Sequence, residues 1–169
     1  DFMKILMDKC LQTGIDFAFA QIEAGCDIIG IGDAICSQID IGLYNQFVKK
    51  RHMELIDAIH EKGAKVKLHI CGDITHLLHS LKDLSPDILD IDWQVDPDQA
   101  FETMGPGVIR CGNINPVAIQ DKNPNELSSC VKDLLAKERN RPFILSGGCE
   151  ITVATPPENL HVLRNESKK

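Results

Sequence analysis

The chain has 169 residues, of which 43% are hydrophobic and 25% charged, and its net charge is −7. That length and composition suit one globular domain or a large piece of one. No apolar run reaches the roughly 18 residues of a membrane span, no secretory leader pattern stands at the start, and no basic stripe is present, so neither a membrane nor nucleic acid is an expected partner.

The first residue is Asp1 rather than Met, and we expect the chain to begin inside a longer gene product. Lys49, Lys50, Arg51 and His52 form the one tight cationic cluster, expected as the solvated face of a helix. The seven cysteines are odd in number and irregularly spaced. This argues against a secreted disulfide framework and for a cytoplasmic enzyme with reduced thiols, some of them metal ligands.

In chain order, the pattern predicts a helix near 10–24 and then an apolar strand over 27–32 ending at Asp33. A helix follows in which Leu43, Phe47, Leu55 and Ile59 recur on a spacing of four, until Gly63 ends it. The second strand spans 65–70, and a helix is expected over 74–83. The third strand spans 87–92 and ends at Asp92, followed by a helix over 97–104. The fourth strand spans 107–111, and Gly112 to Pro116 reads as a polar turn. A helix over 124–138, a fifth strand over 142–146 and a helix over 157–165 complete the chain, the last opened by Pro156 and Pro157. This alternation predicts an α/β fold with a parallel sheet, strands in sequence order and helices on one side. Five parallel strands do not close a barrel, which takes eight. The expectation is a single unit over 1–169: the C-terminal portion, about five βα units, of a (β/α)8 TIM barrel.

His69-Ile70-Cys71-Gly72 closes the second strand. Residues i and i+2 of a strand share a face, so His69 and Cys71 both aim inward at the strand's C-terminal end, where barrel enzymes keep their active sites. Imidazole and thiolate together suit zinc; the alternative is a buried cysteine beside a hydrogen-bonded histidine. Ser146-Gly147-Gly148-Cys149-Glu150 follows the fifth strand and would face the same mouth. Cys149 then completes His-Cys-Cys, three ligands with an open fourth position, or else is a small residue buried in a glycine turn.

Asp33, Asp92 and Glu150 are the candidate carboxylates: to hold a substrate, to orient His69 or to act as acid or base. Capping of a βα junction is the alternative for Asp33 and Asp92. Asn113 lines the mouth or makes the turn. Cys10, Cys26 and Cys130 read as structural, while Cys36 and Cys111 lie near the mouth. His52, His60, His76, His79 and His161 read as surface or packing residues.

The order of these segments resembles the uroporphyrinogen decarboxylase superfamily. The matching pieces are Ala24-Gly25-Cys26-Asp27 leading to Gly32-Asp33, then His69-Ile70-Cys71-Gly72, Ile91-Asp92-Trp93, Gly112-Asn113-Ile114-Asn115-Pro116, Ser146-Gly147-Gly148-Cys149 and Pro156-Pro157-Glu158-Asn159-Leu160. They match the C-terminal part of the family's length. The His-x-Cys pair and the late cysteine resemble the cobalamin-dependent methyltransferase branch rather than the decarboxylases. That resemblance implies zinc held by His69, Cys71 and Cys149, and a methyl group moved from methylcobalamin, or another corrinoid on a corrinoid protein, to a small thiol such as coenzyme M. The thiol would be activated as a zinc-bound thiolate. The competing readings are a metal-independent tetrapyrrole decarboxylase and a non-catalytic subunit that binds a corrinoid protein. Self-association is left open.

Overall fold

Three helices of this chain begin at an Asp-Pro or Asn-Pro pair, and each start has the same cause. The Asx side chain accepts from the first free backbone N–H groups, and proline, lacking an N–H, costs nothing at the first helical position. Asp96 caps α5 (Pro97–Met104) through Asp98 N and Gln99 N. Asn115 caps α6 (Pro116–Asp121) and Asn123 caps α7 (Pro124–Lys137) in the same way. The remaining helices are α1 (Phe2–Glu23), α2 (Ile41–Leu43), α3 (Lys49–Glu61), α4 (Leu78–Lys82) and α8 (Pro157–Glu166). A π-helical segment, Tyr44–Val48, joins α2 to α3. The structure is a computed structural model and describes residues 2–168.

The strands are β1 (Ile28–Asp33), β2 (Lys65–Ile70), β3 (Ile88–Asp90), β4 (Ile109–Ile114) and β5 (Phe143–Gly147). They form one sheet in the order β1-β2-β3-β4-β5, with every neighbouring pair parallel. This is the expected α/β portion of a barrel. Alternation along each strand then sorts the faces. Val66, Leu68 and Ile70 are buried with Ile56 and Ile59 of α3 in the larger of two apolar clusters. The smaller cluster gathers Ile114, Ile119, Leu127, Val131, Leu134 and Leu163 under α6, α7 and α8. The opposite sheet face, lined by Lys67 and His69, is the less buried one. On that face Ile28 is 48% exposed and Ile144 43%. Among the described residues, no helix is long and apolar enough to cross a membrane.

Several expectations are corrected. Helix α1 begins at Phe2, well before residue 10. β3 ends at Asp90, so Asp92 lies beyond the strand rather than in it. β4 runs on through Gly112 and Asn113 to Ile114, and the expected polar turn is strand followed by the cap of α6. The Lys49–His52 cluster is not a solvated face as a whole. Lys49 pairs with Asp83 at 2.6 Å, and Arg51 binds Asp8 on α1 and the Phe47 carbonyl. His52 sits between Tyr44 and Asp33. Only Lys50, paired with Glu54, stays well exposed.

Asp87 stitches the entry of β3 to β2. It accepts from the Val66 N–H at 2.8 Å and the Lys65 ammonium at 2.9 Å, with His60 Nε2 at 2.8 Å. Burial opposes its ionisation, but these partners outweigh it and hold the carboxyl pKa at about 2, below the ordinary 3.8. A carboxyl lowered on folding stabilises the native state above its unfolded pKa and loses that contribution as the pH falls through its folded value. Asp87→Ala is therefore expected to lower the denaturation midpoint near neutral pH. The gap from the parent protein should narrow as the pH falls from about 4 to about 2. Urea titrations across that range test this, and a gap independent of pH would refute it.

Candidate metal centre

His69 is the last inward-facing residue of β2, and its register partner on β3 is Asp90. Its Nδ1 lies 2.9 Å from the Asp90 carbonyl oxygen. A carbonyl only accepts, so Nδ1 carries the proton and Nε2 presents its lone pair. Nε2 points at Cys71 Sγ, 3.3 Å away, and at Cys149 Sγ, 3.9 Å away. The two sulfurs are 3.8 Å apart.

Cys71 is held by its backbone. Its N–H donates to the Asp33 carbonyl at 3.0 Å, and the next N–H, of Gly72, donates to Asp92 Oδ2 at 2.9 Å. Gly72 takes a φ of 89° and packs so closely on Ser37 that a Cβ would stand 2.9 Å from its Oγ. Cys149 is held by the chain on either side of Gly148. The Gly148 N–H donates to the Ile114 carbonyl at 2.7 Å, and the Gly148 carbonyl accepts from the Trp93 N–H at 3.2 Å. A Cβ at Gly148 would fall 2.8 Å from Trp93 Cα and 2.9 Å from its Cβ, against backbone that cannot step aside. Gly148→Ala is thus expected to cost about 1–3 kcal/mol of stability and to weaken metal binding by displacing Cys149. Thermal melts and a metal titration on the same preparation check both effects; an unchanged midpoint would contradict the packing.

The donor set fits zinc. Tetrahedral zinc, with bonds of about 2.3 Å to sulfur and about 2.05 Å to nitrogen, puts its sulfurs ~3.8 Å apart and each sulfur ~3.5 Å from the nitrogen. Among the described residues, these three form the one such group of ligand atoms within 4.8 Å of one another. The electrostatics favour a cation as well. Burial, then the Cys149 sulfur, then the carboxylates of Asp92 and Asp33 push the Cys71 thiol pKa up. Burial and the neighbouring negative charges all oppose a bare thiolate, and a positive ion between the sulfurs would offset them. All seven cysteines are free.

The other candidate residues divide. Glu150 is exposed and lines a cavity of about 380 Å3 shared with His69 and Cys149. Asp33 is not brought into that cavity. Its Oδ1 accepts from the Ile35 and Cys36 N–H groups, at 2.8 and 3.0 Å, and its Oδ2 lies 3.4 Å from His52 Nε2. Burial pulls the Asp33 pKa upward, but His52 and the Cys36 and Ile35 donors hold it well below the carboxylate range. Cys36 is buried beside it, its thiol pushed up by burial and by Asp33. Asp92 gives both oxygens to backbone N–H groups, of Gly72 and Gln94. Asn113 donates its amide to the Asp92 and Val95 carbonyls, at 2.8 and 3.0 Å, and so pins the 92–95 turn.

Sequence reasoning passed over Lys67 and Asp90. Lys67 Nζ is 2.7 Å from Asp90 Oδ2, on the inward face one step below His69. Burial opposes the ammonium charge there, but Asp90 more than compensates and raises the Lys67 pKa. Strand alternation could have placed Lys67, two residues before His69, on that face; Asp90 needed the register of β3.

A parallel βα sheet with a His-Cys-Cys cluster that could hold a metal at the carboxyl ends of its strands is the arrangement of an enzyme-like portion of a barrel. The sequence matches the uroporphyrinogen decarboxylase (URO-D) family over residues 1–169, and the chain belongs to that family. It is 30% identical over 163 residues to the methylcobamide:CoM methyltransferase MtbA of Methanosarcina mazei, covering 95% of this chain and 47% of that relative. It is 27% identical to the uroporphyrinogen decarboxylase of Koribacter versatilis, covering 92% of this chain and 44% of the relative. The solved structure of a methyltransferase from Methanosarcina mazei superimposes with a TM-score of 0.85 at 24% identity, over 95% of this chain and 47% of that one, which establishes the shared fold. The chain spans about half the length of the curated relatives it matches. Those relatives are enzymes, of methyl transfer and of decarboxylation.

Proposed function

We propose that the protein is a zinc-dependent methyltransferase that moves a methyl group from a methylated corrinoid, carried by a partner protein, to a small thiol such as coenzyme M. The observation that carries this reading is the convergence of His69 Nε2, Cys71 Sγ and Cys149 Sγ at distances suited to one zinc ion. Three ligands leave the fourth position to a substrate. When bound there, zinc supplies the charge that lets a thiol lose its proton at neutral pH. The Asp90 carbonyl keeps His69 in the ligating tautomer, and Asp92 fixes the turn that carries Cys71. Asp33 anchors the 34–38 turn, whose Ser37 abuts Gly72. Glu150 stands at the rim, where an incoming substrate would pass. Asn113 serves the site through the Asp92 turn. We assign 1–169 to the C-terminal part of the barrel, because β1 and β5 are open edges and Ile28 and Ile144, on the inward face with Lys67 and His69, are left uncovered. The free cysteines suit a cytoplasmic enzyme.

The test uses the full-length protein purified without chelator. One zinc per chain is expected, together with methyl transfer from methylcobalamin to the thiol that stops on chelation and returns with zinc. The decarboxylase relatives favour a second reading, a metal-independent tetrapyrrole decarboxylase. Full decarboxylase activity in metal-free protein would establish it in place of the first.

A further inference from the structure

The inward face of the sheet carries a cation within reach of the zinc ligands. Among the described residues, Lys67 is the one lysine or arginine lining the 380 Å3 cavity that His69 and Cys149 also line. Its ammonium is fixed at one point by Asp90 Oδ2 at 2.7 Å, and the side chain remains 38% exposed. Three protons sit on that nitrogen, so donors remain free for a ligand in the cavity.

The neighbouring strand leaves room for such a ligand. Gly30 pairs with Lys67, and Gly32 pairs with His69. A Cβ on either glycine would meet nothing within 4 Å. Side chains there would fill the strip beside Lys67 and His69; two glycines leave it open from the ammonium up to the metal ligands. The ammonium reaches across to Asp90, the register partner of His69: Lys67 Nζ is 2.7 Å from Asp90 Oδ2, and Asp90 Oδ1 is 3.9 Å from His69 Nδ1. One carboxylate therefore separates the ammonium from the ligand ring, so only a short spacer between thiol and acid group suits the site. The other charged side chains of the cavity, Asp90 and Glu150, are anionic, so Lys67 is where an anion would be attracted.

We propose that Lys67 is a specificity-determining residue, which binds the acid group of a short anionic thiol whose sulfur sits at the His69–Cys71–Cys149 centre. This rests on the thiol-acceptor reading above. The shared chemistry is a carboxylate or a sulfonate at the far end of the spacer.

Calorimetric titration of the full-length, zinc-loaded protein tests it with three thiols: 2-mercaptoethanesulfonate, 3-mercaptopropionate and neutral 2-mercaptoethanol. At least one acid should bind about tenfold or more tighter than the neutral thiol, the size of one charge-assisted hydrogen bond. The two acids together show which anion the site takes. In Lys67→Met the ratio of acid to neutral affinity should collapse toward one, and in Lys67→Arg it should be largely kept. Lys67→Met leaves Asp90 without its partner. If that variant fails to fold, the Lys67→Met/Asp90→Asn pair gives the same readout with neither charge present. Neutral thiol bound without any preference for the acids, or a preference that survives loss of the ammonium, overturns the role of Lys67 alone. A zinc-loaded protein that binds none of the three thiols overturns the thiol-acceptor reading, and this proposal with it.

Discussion

Replacing Cys149 with serine is expected to lower zinc affinity by about 100-fold or more while leaving the fold in place. A hydroxyl is a harder ligand than a thiol and far less readily ionised, so it is a poor substitute in a soft site. Changes even to partners behind the ligands typically cost 10–100-fold in metal affinity, and Cys149 is itself a proposed ligand. The sheet does not depend on it. Cys149 lies past the end of β5, outside both apolar clusters. Competition against a chromophoric chelator gives the affinity, and circular dichroism and the melting midpoint report the fold. A Cys149→Ser protein that keeps zinc at the parent affinity would remove the three-ligand site, and the methyl-transfer reading with it.

The largest expected loss of stability comes from Glu138→Ala. Arg110 on β4 points away from the cavity into the helix layer. Its side chain is 0% exposed and is paired at 2.7 Å with Glu138, whose side chain is 1% exposed, at the end of α7. The guanidinium also stacks on Phe101, 4.5 Å from the ring centroid, and Arg141 stands over the same ring at 4.3 Å. Removing the carboxylate leaves a buried guanidinium without its counter-charge, a change that costs about 3–5 kcal/mol. Replacing both partners by apolar residues of similar volume, as in Arg110→Met/Glu138→Leu, should restore most of that loss, because the desolvation cost disappears with the charges. Chemical denaturation of the two variants tests both statements. A single variant within about 1 kcal/mol of the parent protein would show that the pair is not dry.

The strands and the convergence of His69, Cys71 and Cys149 were legible in the sequence for a local reason. Short Ile-, Val- and Leu-rich runs bounded by glycine or aspartate mark strands buried in a parallel sheet. The two-residue repeat then puts His69 and Cys71 on one face without any knowledge of neighbours. The glycines before Cys149 marked a second approach at the same end. Helix α6 was legible too and was misread: Asn115-Pro116 carries the same cap signature as Asp96-Pro97 and Asn123-Pro124, but the short segment behind it resembled a turn.

What the tertiary structure decided involves partners far apart in sequence. Asp33 and Asp92 look like free carboxylates at strand ends. Only the packed chain shows that their oxygens are taken up by the backbone of Ile35, Cys36, Gly72 and Gln94 and by His52. Arg51 and His52 look like a solvated helix face until α1 and the end of β1 are placed against them. Asp90 becomes the support of His69, and the anchor of Lys67, only once β3 is set in register with β2. Local pattern fixes which face a residue takes, because that depends on backbone geometry over two to four positions. Which charge meets which depends on register and on the path of the connecting helices, and no short stretch of sequence encodes either.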